Sequence, residues 1–210
     1  MKHKIRLLSC LLLFAAVVWA QETEEPTGRL ELAINYGIGG NFFVTDYDDQ
    51  QPSSFYSKDF IGTIGGVELV WNLKDNKQAF GLSFDRSVNH GEKNVTRTTA
   101  NSISVENFNL RHTNKMYGIF YRRNFNSNFS ASLGVYLYRD IGQYLEVYEK
   151  FSYLRETKST EGGFFLAADY FFFKSGNFEV GVQSKLFSYF AISEFDLEAI
   201  SLTPKIRYRF

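Results

Sequence analysis

In residues 200–210 (ISLTPKIRYRF) apolar and polar side chains alternate without a break. Ile200, Leu202, Pro204, Ile206, Tyr208 and Phe210 share one parity, and Ser201, Thr203, Lys205, Arg207 and Arg209 share the other. A period of two puts successive side chains on opposite faces of an extended strand, so this segment reads as a strand with differently solvated faces. The alternation recurs upstream. Leu30, Leu32, Ile34, Tyr36 and Ile38 oppose Glu31, Ala33, Asn35, Gly37 and Gly39. Ile61, Val67, Leu69 and Trp71 oppose Gly62, Gly66 and Glu68; Phe80, Leu82 and Phe84 oppose Gly81, Ser83 and Asp85. Tyr117, Ile119 and Tyr121 alternate with Gly118, Phe120 and Arg122, and similar runs start at Phe129, Phe164 and Phe178. The expectation is all-β, with eight antiparallel strands in residues 29–210.

The connections alternate in length. Three are short and rich in Asn, Asp, Gly or Ser: 72–77, 124–128 and 174–177. Between them fall longer ones at about 46–58, 88–104, 139–161 and 190–198. The apolar parity carries an aromatic residue on each side of every short turn: Trp71 and Phe80, Tyr121 and Phe129, Phe172 and Phe178, with Tyr208 and Phe210 at the same level. The opposite parity carries glycines, five acids (Glu31, Glu68, Asp85, Asp169, Glu179) and five bases (Arg122, Lys185, Lys205, Arg207, Arg209). Ten charges on the inner face of a narrow barrel are expected to pair with each other, because unpaired charge there is poorly solvated. Small residues beside them relieve crowding.

The amino-terminal segment sets the compartment. Lys2, Lys4 and Arg6 precede an apolar run from Leu7 to Ala20, the pattern of a secretory signal peptide of roughly 20 residues. The run is shorter than a spanning helix needs. Cys10 lies inside the apolar run, whereas an acylated cysteine follows it. Cleavage after Ala20 would leave a polar leader at 21–28 and no cysteine, and so no disulfide or thiolate chemistry. It would also leave 20 basic against 23 acidic residues, which offers no basic footprint for nucleic acid. No apolar run after residue 20 could cross a bilayer as a helix. For a membrane protein that leaves a closed barrel, the other structure that satisfies its backbone in lipid.

The ending with Tyr208 and Phe210 resembles the carboxy-terminal insertion signal of outer-membrane β-barrel proteins. Over residues 29–210 the chain resembles the small eight-stranded members of that group, the OmpX-like and OmpA transmembrane barrels. The resemblance implies an up-and-down barrel in the outer membrane, with short periplasmic turns and longer extracellular loops. It implies outer-membrane lipid, lipopolysaccharide and the barrel-assembly machinery as partners, and an extracellular or periplasmic protein contacted through the loops.

Other features carry less. His90 and His112 remain in the mature chain, and no motif of a lipid A-modifying barrel enzyme surrounds either. Asp46, Asp48 and Asp49 lack the later Gly and Glu of a calcium loop. No cofactor, metal site or catalytic set is expected. The 139–161 stretch keeps some alternation and is expected to extend strands beyond the bilayer, with an exposed edge. Two places fit badly. Pro204 cannot donate to a ladder, and Arg111 and Lys115 fall on the apolar parity. At Pro204 a bulge or local irregularity is expected, and at the second place a bulge or a strand that starts above the membrane. The expected role is a closed, non-enzymatic barrel; the rivals are a lipid A-modifying enzyme and a soluble calycin-like carrier of an apolar ligand.

Overall fold

The computed structural model describes residues 29–41, 61–74, 76–99, 102–148, 151–190 and 195–210. The expected signal peptide, Cys10, the expected 21–28 leader and the Asp46, Asp48, Asp49 cluster lie outside them. Eight strands follow in order: β1 Leu30–Asn41, β2 Ile61–Asn72, β3 Gln78–Thr99, β4 Ser102–Asn124, β5 Phe129–Val147, β6 Ser152–Ser175, β7 Phe178–Phe190 and β8 Phe195–Arg209. Each pairs antiparallel with the next, and β8 returns to β1, closing the barrel. This is the expected architecture.

Turn chemistry places the short connections. The Asn126 side chain accepts from the backbone N–H groups of Asn128 and Phe129 at 2.9 and 2.8 Å, an Asx turn between β4 and β5. Between β6 and β7, Gly176 adopts φ 54°, which a residue without a Cβ takes at no steric cost.

At the opposite end the loop expectation is corrected. Residues 88–104 are not a loop: β3 and β4 stay paired in one register from Gln78↔Arg123 to Thr99↔Ser102. Likewise β5 and β6 pair up to Val147↔Ser152, inside the 139–161 stretch. The β3–β4 hairpin carries polar residues on both faces and so has no amphipathic period, while Thr, Val and Ile supply β-propensity; the β5–β6 hairpin keeps part of its alternation. The protruding strands expected at β5–β6 are present, and β3–β4 protrudes as well.

Neither of the two irregular places is a bulge; Pro204 makes a local interruption, and β4 starts far above Arg111. At Pro204 the register with β7 runs straight through, Val182↔Pro204. On the β1 side it is the same before and after, Asn35↔Lys205 and Ile38↔Leu202, with the rungs between missing from the ladder. A missing donor interrupts two rungs without inserting a residue. Gly37 lies against this point; a Cβ there would stand 3.2 Å from Pro204 Cδ and 2.8 Å from the Leu202 carbonyl oxygen. From Leu110 to Tyr117 the register with β3 is continuous, and from His112 to Tyr117 so is the register with β5. Arg111 and Lys115 still point outward, on a strand that begins far above this level. Register shifts occur instead between Phe171 and Phe173, and between Phe187 and Ser188.

Candidate functional site: a charged interior inside an apolar belt

The strands carry alternate side chains inward, and the inward set is charged. Glu31, Glu68, Asp85, Arg122, Asp169, Glu179, Lys185, Lys205 and Arg207 are each at most 2% exposed, while Arg209 at the rim keeps a 14% exposed side chain. Glu68 on β2 is the central node. Lys205 Nζ lies 2.6 Å and Arg122 Nη2 3.0 Å from Glu68 Oε2, and Lys185 Nζ lies 3.0 Å from its Oε1. Lys185 also reaches Asp85 at 2.9 Å, and Lys205 reaches Asp169 at 2.9 Å. Toward the short-turn end Arg122 donates to Glu31 Oε2 at 2.8 Å, Arg209 Nε lies 2.9 Å from Glu31 Oε1, and Arg207 pairs with Glu179. Five bases and five acids thus form one connected cluster.

Four inward members were not picked out from sequence. Gln183 donates to Glu68 at 2.9 Å and Asp169 at 2.8 Å, and accepts from Asn35 at 3.0 Å. Asn72 donates to Glu31 at 2.7 Å, and Lys174 lies 3.6 Å from Glu179. For Asn35, Asn72 and Gln183 inward parity was the one available signal, and neutral amides do not stand out by it; Lys174 has the outward parity of Phe172, and the register shift between Phe171 and Phe173 sets it opposite Glu179.

Above the charges the interior is aromatic. Phe120, Tyr136, Tyr138, Phe165 and Phe187 pack with Ile64 and Met116. Phe165 and Phe187 also carry the Lys185 ammonium, 5.1 and 5.9 Å from their ring centroids. Inward glycines make the room: a Cβ on Gly134 would stand 2.5 Å from Phe165, and one on Gly163 2.8 Å from Tyr136. Higher still, buried His112 pairs with Asp140, and its Nε2 lies 3.0 Å from the Asn114 amide. His90, on the neighbouring strand, is exposed on the outer face, so the two histidines do not converge.

The outward set is the reverse. Leu82, Ile119, Leu133, Leu202 and Ile206 are 47–59% exposed with no strand or helix over them. The outward run of β5 from Phe129 to Leu137 covers about 26 Å of strand at roughly 3.3 Å per residue. A tilt of about 40° reduces this to roughly 20 Å, comparable to the ~25 Å apolar belt of a membrane barrel. At its short-turn edge Trp71, Phe80, Phe129, Phe172, Tyr208 and Phe210 are exposed, with Tyr121 and Phe178 half-buried. Phe80 and Tyr121 meet edge to face at 5.6 Å, and Tyr208 and Phe210 at 4.9 Å.

Beyond the belt the two hairpins touch. Val95 and Phe108 pack on Leu110 and Leu145. Arg97 of β3 donates to the Ser152 hydroxyl of β6 and lies 3.7 Å from Glu106 of β4. At the β5–β6 tip Tyr148, Phe151 and Tyr153 stack, centroids 4.9–6.2 Å apart. Glu146 beside them accepts from Tyr153 and Tyr148 and pairs with Arg155 at 3.0 Å. The Tyr153 hydroxyl, then Arg155, hold the Glu146 carboxyl below its usual range, and the carboxylate in turn pushes the Tyr153 phenol up.

No family model matches the chain. No curated protein matches it either. Among solved structures it is similar to Ail, the attachment invasion locus protein of Yersinia pestis, at 12% identity and TM-score 0.49, over 87% of this chain and 99% of that one. It is similar to Neisserial surface protein A at 12% identity and TM-score 0.47, over 89% and 100%. It is similar to the N-terminal β-barrel domain of Pseudomonas aeruginosa OprF at 10% identity and TM-score 0.40, over 87% and 100%. At such identities and scores the fold rests on the strand order and register above. Sealed charge within and a lipid-height apolar belt without make the described residues a small eight-stranded antiparallel β-barrel built to cross a membrane.

Proposed function

We propose that the protein is a non-enzymatic outer-membrane barrel with a plugged lumen, acting as a scaffold whose outer hairpins make the functional contacts. The observation that carries this reading is the inverted polarity: ten charged side chains clustered inside a wall whose outer face is exposed Leu, Ile, Val and aromatic residues. A soluble carrier of an apolar ligand needs the opposite arrangement. A lipid A-modifying enzyme needs its histidine both where lipid arrives and beside its catalytic partners; His112 is 2% exposed and faces inward, and His90 on the outer face stands apart from it.

Contacts are assigned to the β3–β4 and β5–β6 hairpins, which rise past the belt. Above Gly163↔Tyr189, β6 pairs with β5 alone among the described residues, so 152–162 is a strand edge open to β-strand addition by a protein partner. Outer-membrane lipid and lipopolysaccharide are the lipid partners in this reading, Trp71, Phe80, Tyr121, Phe129, Phe172 and Phe178 its interfacial girdle, and Tyr208 and Phe210 the insertion signal read by the barrel-assembly machinery. Membrane fractionation with a heat-shift gel tests the core of it. The expected result is outer-membrane protein that migrates differently before and after boiling. Protein recovered in the aqueous phase without detergent would refute it. In planar bilayers the plugged lumen predicts no steady conductance, and a persistent open channel would overturn that part.

A further inference from the structure

Three outward cations share one rung of the barrel wall. Arg86 on β3 is the register partner of Lys115 on β4, which is in turn the partner of Arg139 on β5. The rung ends in Gly65 on one side and Thr160 on the other, so no carboxylate interrupts it. Arg86 and Arg139 are exposed and Lys115 is half-buried. Among the described residues none of the three makes an ion pair, whereas nearby Lys158 pairs with Glu156 at 2.7 Å and Arg155 with Glu146 at 3.0 Å.

Like charges directly opposite each other on neighbouring strands destabilise a sheet. Three in a row therefore call for an anion from outside the chain. The height of the rung says what kind. Two rungs closer to the short turns, on the same outer face, lie Phe84, Tyr117 and Leu137, the last wholly apolar row of the belt, with Phe84 and Tyr117 rings 5.1 Å apart; two rungs beyond the cations the outward row is mixed, Val88, Thr113 and Ile141. The cations thus stand where acyl chains give way to headgroups on the long-hairpin side. Two guanidinium forks flanking an ammonium suit phosphate oxygens. A fourth outward cation, Arg111, lies four residues farther up β4 and extends the positive strip away from the belt.

We propose that Arg86, Lys115 and Arg139 form a docking row for the phosphate groups of an anionic glycolipid in the outer leaflet. The proposal rests on the transmembrane reading, from which it takes the height of the headgroups. It assigns the lipid contact to one wall, β3–β5, and leaves the rest of the circumference to neutral lipid.

The test uses the full chain folded into phosphatidylcholine nanodiscs, with bisphosphorylated lipid A as the probe and native mass spectrometry reading its apparent affinity. Removing three charges by R86Q/K115Q/R139Q is expected to weaken binding at least tenfold. Arg123→Gln, an exposed cation at the opposite end of β4, is expected to leave it unchanged. Dephosphorylated lipid A is expected to bind the wild-type chain no better than the intact lipid binds the triple variant. A heat-shift gel on the same nanodiscs reports insertion separately. Protein that inserts but binds lipid A equally with and without the three charges, or equally with and without phosphates, overturns the docking row alone. Displacement of lipid A by inorganic phosphate at concentrations matching the lipid overturns the assignment to lipid in favour of a free anion. Failure to insert overturns the transmembrane reading and the docking row with it.

Discussion

Glu68 faces three cations, Arg122, Lys185 and Lys205, each within 3.0 Å. Taking two charges out of water costs several kcal/mol per ion, and removing one member of a buried cluster leaves the others uncompensated. Glu68→Leu is therefore expected to destabilise the barrel by about 3–5 kcal/mol, read as a lower urea midpoint of unfolding in lipid vesicles. Gly134→Val tests the other half of the interior, because its side chain would occupy the space of the Phe165 ring. Overpacking of this kind costs about 1–3 kcal/mol, and a lower midpoint with the barrel still closed is the expected result. An unchanged midpoint in either variant would contradict the packing described. Parity in the sequence told which way each of the ten charges faces. It could not tell which acid meets which base, because strand stagger decides that. The row of Arg86, Lys115 and Arg139 was illegible for the same reason: 29 and 24 residues separate its members in sequence, and register alone brings them level.

Strands whose two faces meet different surroundings were legible, since alternation is the imprint of that difference. The outer halves of β3, β4, β5 and β6 were only partly legible, because both their faces meet water. Residues 88–104 carry polar side chains on both parities, Asn89, Lys93 and Thr99 on one and His90, Asn94, Thr96 and Ser102 on the other, and that composition reads as loop. The register shifts at Phe171–Phe173 and Phe187–Ser188 left no local mark, whereas Pro204, which did mark the sequence, shifts nothing. Arg97 couples the two hairpins through Ser152 and Glu106. Arg97→Ala is expected to raise amide hydrogen exchange at 95–108 and 145–154 while leaving the belt strands protected; equal protection in both forms would show that the hairpins hold without it. Glu146 adds a pH dependence. Its folded-state pKa is depressed, so its contribution to tip order is present above the usual carboxylate range and is lost as pH falls through the lowered value. Tyr148 and Tyr153 ring resonances should broaden on acidification below that range, and Glu146→Gln should remove the pH dependence.

For the whole molecule, the arrangement is a soluble protein turned inside out: charge where a core would be, apolar side chains where water would be. Neither half is stable in isolation. The buried charges need a closed wall to exclude water and hold their partners, and the wall needs a lipid bilayer to cover it. Folding and membrane insertion are then one event. Trp71 reports on it directly, being exposed on the belt and accompanied in the sequence by one other tryptophan, Trp19. In a chain carrying Trp19→Phe, folded into vesicles, Trp71 emission is predicted to be quenched by lipids brominated on the acyl chain near the headgroup and to resist acrylamide added to the water. Quenching by acrylamide with no response to brominated lipid would place the aromatic edge of the belt in water and contradict the account.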